Sequence, residues 1–405
     1  MNITHVLPFL IAGFLAAVSP ATAAPAAAKS ASGPKVFKAG AATSNITPPI
    51  GLSIVGGWDA APSAQIHDEL HVRCLALDDG TTRLAFAVVD AVGVSREVFD
   101  EAKRLVHEAT GIPREHMMMS ATHSHSGSST GNTNPAWGTG SGSYRDFVVR
   151  RIADGVRRAI NNLEPAKIGW GSGQVPQHLF NRRWLLKDNA TAINPFGEQD
   201  FAVMNPGSRP DLLKPAGPTN PEVYFVSIQA TAGRPIALLA NYWLHYVGGV
   251  AAGEISADYF AVFCDRIQEL LGADRQDPPF VGILANGPCG DVNNNNYTPG
   301  AKLKSYARYE KMKVVANDVQ LCITVPASLK YVSSKGKKSG KRGICFTRNQ
   351  LKSKKSATFS YTALTKQPGQ VRPRGSTWAG NAAYISTLAK LGVLAPGGKA
   401  GGVTG

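Results

Sequence analysis

No aspartate or glutamate follows Asp318 in this 405-residue chain, so its last 87 residues carry no negative side chain. The same stretch, Val319 to Gly405, holds 15 Lys and Arg, whereas Met1 to Asp318 balances 28 basic against 28 acidic residues. The whole formal charge of +15 therefore sits in the tail. Three readings of the tail stay open: a basic segment that meets an anionic membrane surface, a solvated and partly disordered end, or a shifted reading frame. The clusters Lys335-Gly336-Lys337-Lys338 and Lys352-Ser353-Lys354-Lys355 suit the first. No nucleic-acid motif accompanies the charge, so no specific nucleic-acid partner is expected.

Cysteine is scarce. Five residues (Cys74, Cys264, Cys289, Cys322, Cys345) stand without CxxC spacing, which excludes a zinc knuckle and a dense disulfide framework. Buried, apolar thiols are the default reading. Long hydrophobic runs are also missing. The longest near the amino terminus, Leu7 to Val18, is too short to span a bilayer. With the small residues Ala21 to Ala24 behind it, it reads as a secretory signal peptide over 1–24, although no Lys or Arg precedes it. Residues 25–36, rich in Ala, Ser and Pro, follow as a flexible lead, and the protein is expected to be secreted or periplasmic. No internal repeat is visible.

What is present is a chain 43% hydrophobic, enough for one large core or two smaller ones. Leu84 to Val89 is a continuous apolar run, as in a strand buried on both faces. Ser95 precedes a helical pattern with Val98, Phe99, Ala102, Leu105, Val106 and Ala109 on one face, closed by Gly111 and Pro113. His116 to Thr122 reads as a short strand, and Tyr144 to Leu163 as a second helix. Trp170 to Ala216, rich in Gly, Pro and Asn, is expected as long loops over the site. Val223 to Ala230 and Pro235 to Trp243 form a hairpin pattern around Thr231-Ala232-Gly233. Asp258 to Leu271 and Tyr306 to Gln320 read as helices, with Phe280 to Ala285 a buried strand between them. The fold class is α/β (α+β), a mixed sheet flanked by helices.

Three loops that follow apolar strands hold the chemistry-bearing residues. Ser120 to Gly127 reads SATHSHSG, and on an extended backbone His123 and His125 leave one face toward one site. Neutral imidazole is the commonest protein ligand for zinc. Asn241 to His245 delivers another histidine at a strand end, and Asn286 to Asn293 is a glycine-bearing turn that includes Asp291. Open α/β sheets build their sites at such strand ends.

These motifs, in order, resemble the amino-terminal catalytic domain of the neutral/alkaline non-lysosomal ceramidase family. The resemblance spans Gly40 to Gln320. It rests on His67-Asp68-Glu69-Leu70 leading to Leu77-Asp78-Asp79-Gly80, on SATHSHSG, Asn181-Arg182-Arg183, Pro221-Glu222-Val223, Asn241 to His245, Ser256-Ala257-Asp258 and Gly290-Asp291-Val292. It implies a catalytic domain over 37–320 and a basic, acid-free segment over 321–405. The family's carboxyl-terminal immunoglobulin-like domain has no counterpart.

The resemblance further implies a single Zn2+ held by two histidines, a glutamate and a tyrosine, cleaving the amide of ceramide. By motif, His123 and His245 are ligands and Tyr384 is the tyrosine. His125 is a proton-transfer or oxyanion partner, Arg182 sits near the substrate headgroup, and Asp291 joins the catalytic group. The expected partner is a small-molecule amide or lipid substrate.

Two departures matter. Asn293 stands where the family has a serine, and an amide is no nucleophile, which leaves activated water. No carboxylate occurs after Asp318 to serve as the glutamate ligand, and Glu254 is the alternative nearest to His245. A degenerate, non-catalytic member and an anionic-surface-binding protein remain the other readings.

Overall fold

The computed structural model describes residues 35–56, 60–128, 130, 142–301 and 305–321, together with the backbone of four short strands between 329 and 363. The leader 1–24, residues 25–34 of the lead, Tyr384 and the side chains of the tail beyond 320 lie outside the described residues. The described residues from Val36 onward belong to one unit.

A run such as Leu84 to Val89 sends every second side chain to each face, so both faces demand cover. Among the described residues, eight strands of one sheet and four helices meet that demand. In order these are β1 (Lys38–Asn45), β2 (His71–Asp78), β3 (Arg83–Val89), α1 (Arg96–Thr110), β4 (Met117–Ala121), α2 (Gly142–Asn161), β5 (Glu164–Gln174), β6 (Glu222–Ala230), β7 (Pro235–Tyr242), α3 (Asp258–Leu270), β8 (Val281–Asn286) and α4 (Glu310–Leu321). One sheet holds all eight strands, in the order β8-β7-β6-β5-β1-β2-β3-β4. The pairs at the two edges, β3 with β4 and β7 with β8, are parallel, and the rest are antiparallel. Each parallel pair is bridged by a helix, α1 or α3, as a crossover requires.

The two faces lead to different cores. Val72, Cys74, Ala76, Ala85, Ala87 and Val89 pack with α1 and α2. Leu238, Ala240, Tyr242 and Leu284 pack with α3 and α4. The alternate residues Leu75, Leu77, Phe86 and Val88 meet Ile228, Ala237, Leu239 and Ile283 in a third core to which no described helix contributes. A face that no helix covers stays dry only if the sheet folds over on itself, giving helix, sheet, sheet and helix in layers. The edge strands then come together, and Asn286 Nδ2 at the end of β8 donates to Thr122 O just past β4 at 3.0 Å. Large side chains such as Phe86, Tyr242, Tyr259 and Phe263 are fully buried, each contributing about 2 kcal/mol.

Helix α1 begins after Ser95 and ends at Gly111, whose φ of 72° lets its N–H reach His107 O at 2.8 Å. Of the face expected from the sequence, Val98, Ala102 and Val106 are buried, Phe99 and Leu105 are partly buried against the same core, and Ala109 is exposed. Two boundaries differ. Trp170 to Gln174 belongs to β5 instead of a loop, paired antiparallel along its length with β6 from Val226 to Glu222. The remainder of that stretch contains a small sheet of 183–186, 202–204 and 212–215 and a hairpin pairing 192–193 with 199–200. Helix α4 starts at Glu310, four residues later than expected, after a turn in which Tyr309 takes a φ of 63°.

Cys74, Cys264 and Cys289 are free and buried, as their scattered spacing suggested. Among the described residues no helix is long and apolar enough to cross a membrane.

Candidate metal centre

The carboxyl ends of β4, β7 and β8 meet where the sheet edges converge. Strand β4 stops at Ala121, and His123 takes a φ of 67°, so the two histidines do not leave an extended strand as expected. A turn brings them together instead. Backbone bonds tie it down: Thr122 N–H donates to Val89 O and His123 N–H to Ala91 O, both at 2.9 Å.

The turn is buttressed from the other side. Ser124 Oγ donates to Ser256 O at 2.7 Å, and Ser256 Oγ donates to Asp68 at 2.5 Å. Asp68 also accepts from Ala257 N–H at 2.7 Å, so the His67-Asp68 and Ser256-Ala257-Asp258 motifs are one support. Asp258, fully buried, accepts from Val247 and Gly248 N–H at 3.1 and 2.8 Å and so fixes the segment after His245. Gly56 presses directly on the His125 backbone, where any Cβ would collide.

His123, His125 and His245 each offer a ring nitrogen, and these atoms lie within 4.8 Å of one another. His123 Nε2 is 3.2 Å from His245 Nε2 and 3.1 Å from His125 Nε2. Nδ1 of His123 faces Val92 O at 2.5 Å, and Nδ1 of His245 faces Cys289 O at 3.1 Å. A carbonyl only accepts, so each Nδ1 carries its ring's hydrogen. Two bare Nε2 atoms then lie 3.2 Å apart with their rings near perpendicular, an arrangement that repels unless a cation lies between them. Bonds of about 2.0–2.1 Å from nitrogen to a tetrahedral zinc place two ligand nitrogens about 3.3 Å apart, so the spacing fits such an ion. His123, His125 and His245 thus form a group able to hold a metal.

The electrostatics agree. Burial, followed by the neighbouring His123 and His245, pushes His125 down to about 3, and the Gly56 backbone opposes this only in part. Burial, then His123 and Arg182, pushes His245 down to about 4. Burial also lowers His123, against the pull of Val92 O. Neutral rings are the form that binds metal. Tyr246 stacks on His125 with centroids 3.8 Å apart and planes 13° apart, which holds that ring's plane.

Other expected residues take different places. The Arg182 guanidinium donates to Gly290 O from Nε and Nη2, at 2.9 and 2.7 Å, and its charge depresses all three imidazoles. Asp291 does not join the histidines: its Oδ2 accepts from Asn181 Nδ2 at 3.0 Å, and its carbonyl accepts from Arg182 N–H at 2.7 Å. It is a turn former beneath Arg182. Asn293 Nδ2 donates to Tyr297 OH at 3.0 Å. Glu254 is buried and is committed elsewhere, to Arg308, to Tyr309 OH at 2.6 Å and to Gln65 at 3.0 Å. Asp258 and Asn286 belong to motifs quoted from the sequence but were given no role at the site, and Tyr246, next to His245, was not named at all.

No family model matches the sequence. The large mixed sheet flanked by helices has the fold of the ceramidase catalytic domain. Neutral ceramidase from Pseudomonas aeruginosa superposes with a TM-score of 0.50 at 17% identity, over 74% of this chain and 48% of that one. A ceramidase complexed with C2 gives 0.52 at 17% identity, over 74% and 47%. The chain thus spans about half the length of the ceramidases whose fold it shares.

Proposed function

We propose that this protein is a zinc-dependent hydrolase of the ceramidase type, cleaving an amide bond in a small lipid-like substrate. The observation that carries the proposal is the pair of bare Nε2 atoms of His123 and His245, 3.2 Å apart, with His125 Nε2 3.1 Å from the first. His123, His125 and His245 would hold the ion, and Tyr384 is retained as a fourth ligand on motif alone. When bound, zinc supplies Lewis acidity toward a carbonyl and lowers the pKa of water.

The chain's own residues set the rest. Val92 O and Cys289 O fix the tautomers of His123 and His245 and keep their Nε2 atoms bare. Arg182 adds positive potential where negative charge develops on an amide oxygen. Asn293 offers a hydrogen-bond donor but no nucleophile, so water is the attacking group. The ceramidase fold supports an acylated amine as substrate, and the expected leader supports a substrate met outside the cytosol.

Zinc-loaded protein incubated with a short-chain ceramide and a panel of simple N-acyl amines tests this by release of free amine. Hydrolysis that falls at least a hundredfold in His245→Ala supports the reading. A zinc-loaded, folded wild type inert toward the whole panel contradicts it.

A further inference from the structure

Outside the histidine group, two cations converge on one basin. It measures about 420 Å³, opens to solvent, and is lined by Gly249, Val250, Ala251, Tyr306, Arg308 and Lys311. That volume lies within the usual range for small-molecule sites and exceeds what a bare ion fills. Lys311, in the first turn of α4, is only half exposed, and its stem lies against Gly249. Burial lowers its pKa, and the charge of Asp258 opposes that shift. No described carboxylate hydrogen-bonds it, in contrast to Arg308, whose Nη2 pairs with Glu254.

Arg308 also lies over the Tyr309 ring, 5.0 Å from its centroid, and Tyr309 stacks on His67 at 3.7 Å. The guanidinium is thus held in place before any ligand arrives, with the Glu254 pair occupying one of its nitrogens. Glu254 also accepts from Gln65, Tyr309 and the Ala251 N–H, so of the two cations Lys311 is the one with no carboxylate hydrogen bond among the described residues. Gly248 and Gly249, with φ of 72° and 89°, turn the backbone along its rim, and the start of α4 adds the positive end of a helix dipole.

We propose that this basin is a binding site for a phosphate monoester, with Lys311 and Arg308 grasping the phosphate and the remaining volume taking its organic part. A planar fork beside a compact ammonium suits a tetrahedral dianion better than a single carboxylate. Free phosphate esters and phosphate-bearing lipids share this chemistry.

The test uses the full chain and two probes. Inorganic phosphate is titrated against matched ionic strength in chloride, with the melting temperature and 31P line broadening as readouts. Vesicles of phosphatidylcholine with and without phosphatidic acid report the lipid source by co-sedimentation. Wild type is expected to respond to phosphate, with at least tenfold weaker binding in Lys311→Ala and partial recovery in Lys311→Arg. Preference for phosphatidic acid vesicles beyond the response to free phosphate would assign the lipid source, and response to free phosphate alone the soluble one. Equal binding by wild type and Lys311→Ala, or no response to either probe, would overturn the site. Should Lys311→Ala unfold, Lys311→Gln carries the same comparison.

Discussion

His123 and His245 face each other across 3.2 Å with their Nε2 atoms bare, because each ring's Nδ1 hydrogen is already given to a backbone carbonyl, Val92 O or Cys289 O. The arrangement is unfavourable as neutral apoprotein and favourable around a cation. The strain resides in second-tier hydrogen bonds, from which sequence spacing alone is silent.

Acid is the first lever. Imidazoles must be neutral to bind metal, and burial holds His245 near 4 and His125 near 3, with His123 also lowered. Depressed values mean protons compete late. Zinc affinity is expected to stay nearly flat from pH 8 to about pH 5.5 and to fall steeply below about pH 5. Competition titration with a chromophoric chelator across that range checks it. A loss of affinity centred on the ordinary histidine value near 6.5 would speak against the buried, neutral triad.

Gly56 is the second. Its Cβ would strike the His125 backbone, so Gly56→Ala must displace one of the two. A destabilisation of about 1–3 kcal/mol is expected, together with weaker metal binding. Thermal unfolding and zinc titration of the variant measure the two effects. Wild-type zinc affinity in the variant would show that the His125 backbone does not position the site.

Asp258 links stability to pH. Burial raises its carboxyl to about 6 against an ordinary 3.8, although three backbone N–H groups oppose the shift. The folded state therefore binds the proton more tightly than the unfolded one. The stabilisation from this group is complete below about pH 4 and is lost as pH rises through 6, an effect of about 3 kcal/mol. Urea unfolding at pH 4.5 and pH 7 should show this slope in wild type and not in Asp258→Asn. An identical slope in both would assign the proton elsewhere.

Much of this was legible in residue order. The β3–α1–β4 pattern, the β6–β7 hairpin and the placement of His123 and His245 at strand ends all follow from apolar runs and their boundaries. The site itself was not. Strands β4 and β8 are opposite edges of one sheet, and only the fold-over that buries Phe86 against Ile283 brings Asn286 to Thr122. Glu254 looked available because it lies nine residues past His245, yet three partners draw it away. Asp291, placed in the catalytic group by the resemblance, accepts from Asn181 through its carboxylate. Glycine made 170–174 resemble a loop, yet the backbone there pairs residue for residue with β6.

The buried pair beneath the site gives a separate check. Arg73 and Asp90 are almost wholly buried and bonded to each other, and Asp90 also accepts from His71 N–H at 3.0 Å. Arg73→Met leaves a buried carboxylate without its cation and should cost about 3–5 kcal/mol. Adding Asp90→Asn should recover part of that loss in urea unfolding, and a double variant no more stable than the single would show that the pair is not coupled.

The most direct measurement is metal content. Elemental analysis of purified protein beside His123→Ala and His245→Ala, with folding confirmed by circular dichroism, should find about one zinc per chain in wild type and little in either variant. A folded wild type without zinc after loading, or a histidine variant that keeps it, would contradict the metal centre on which the account rests.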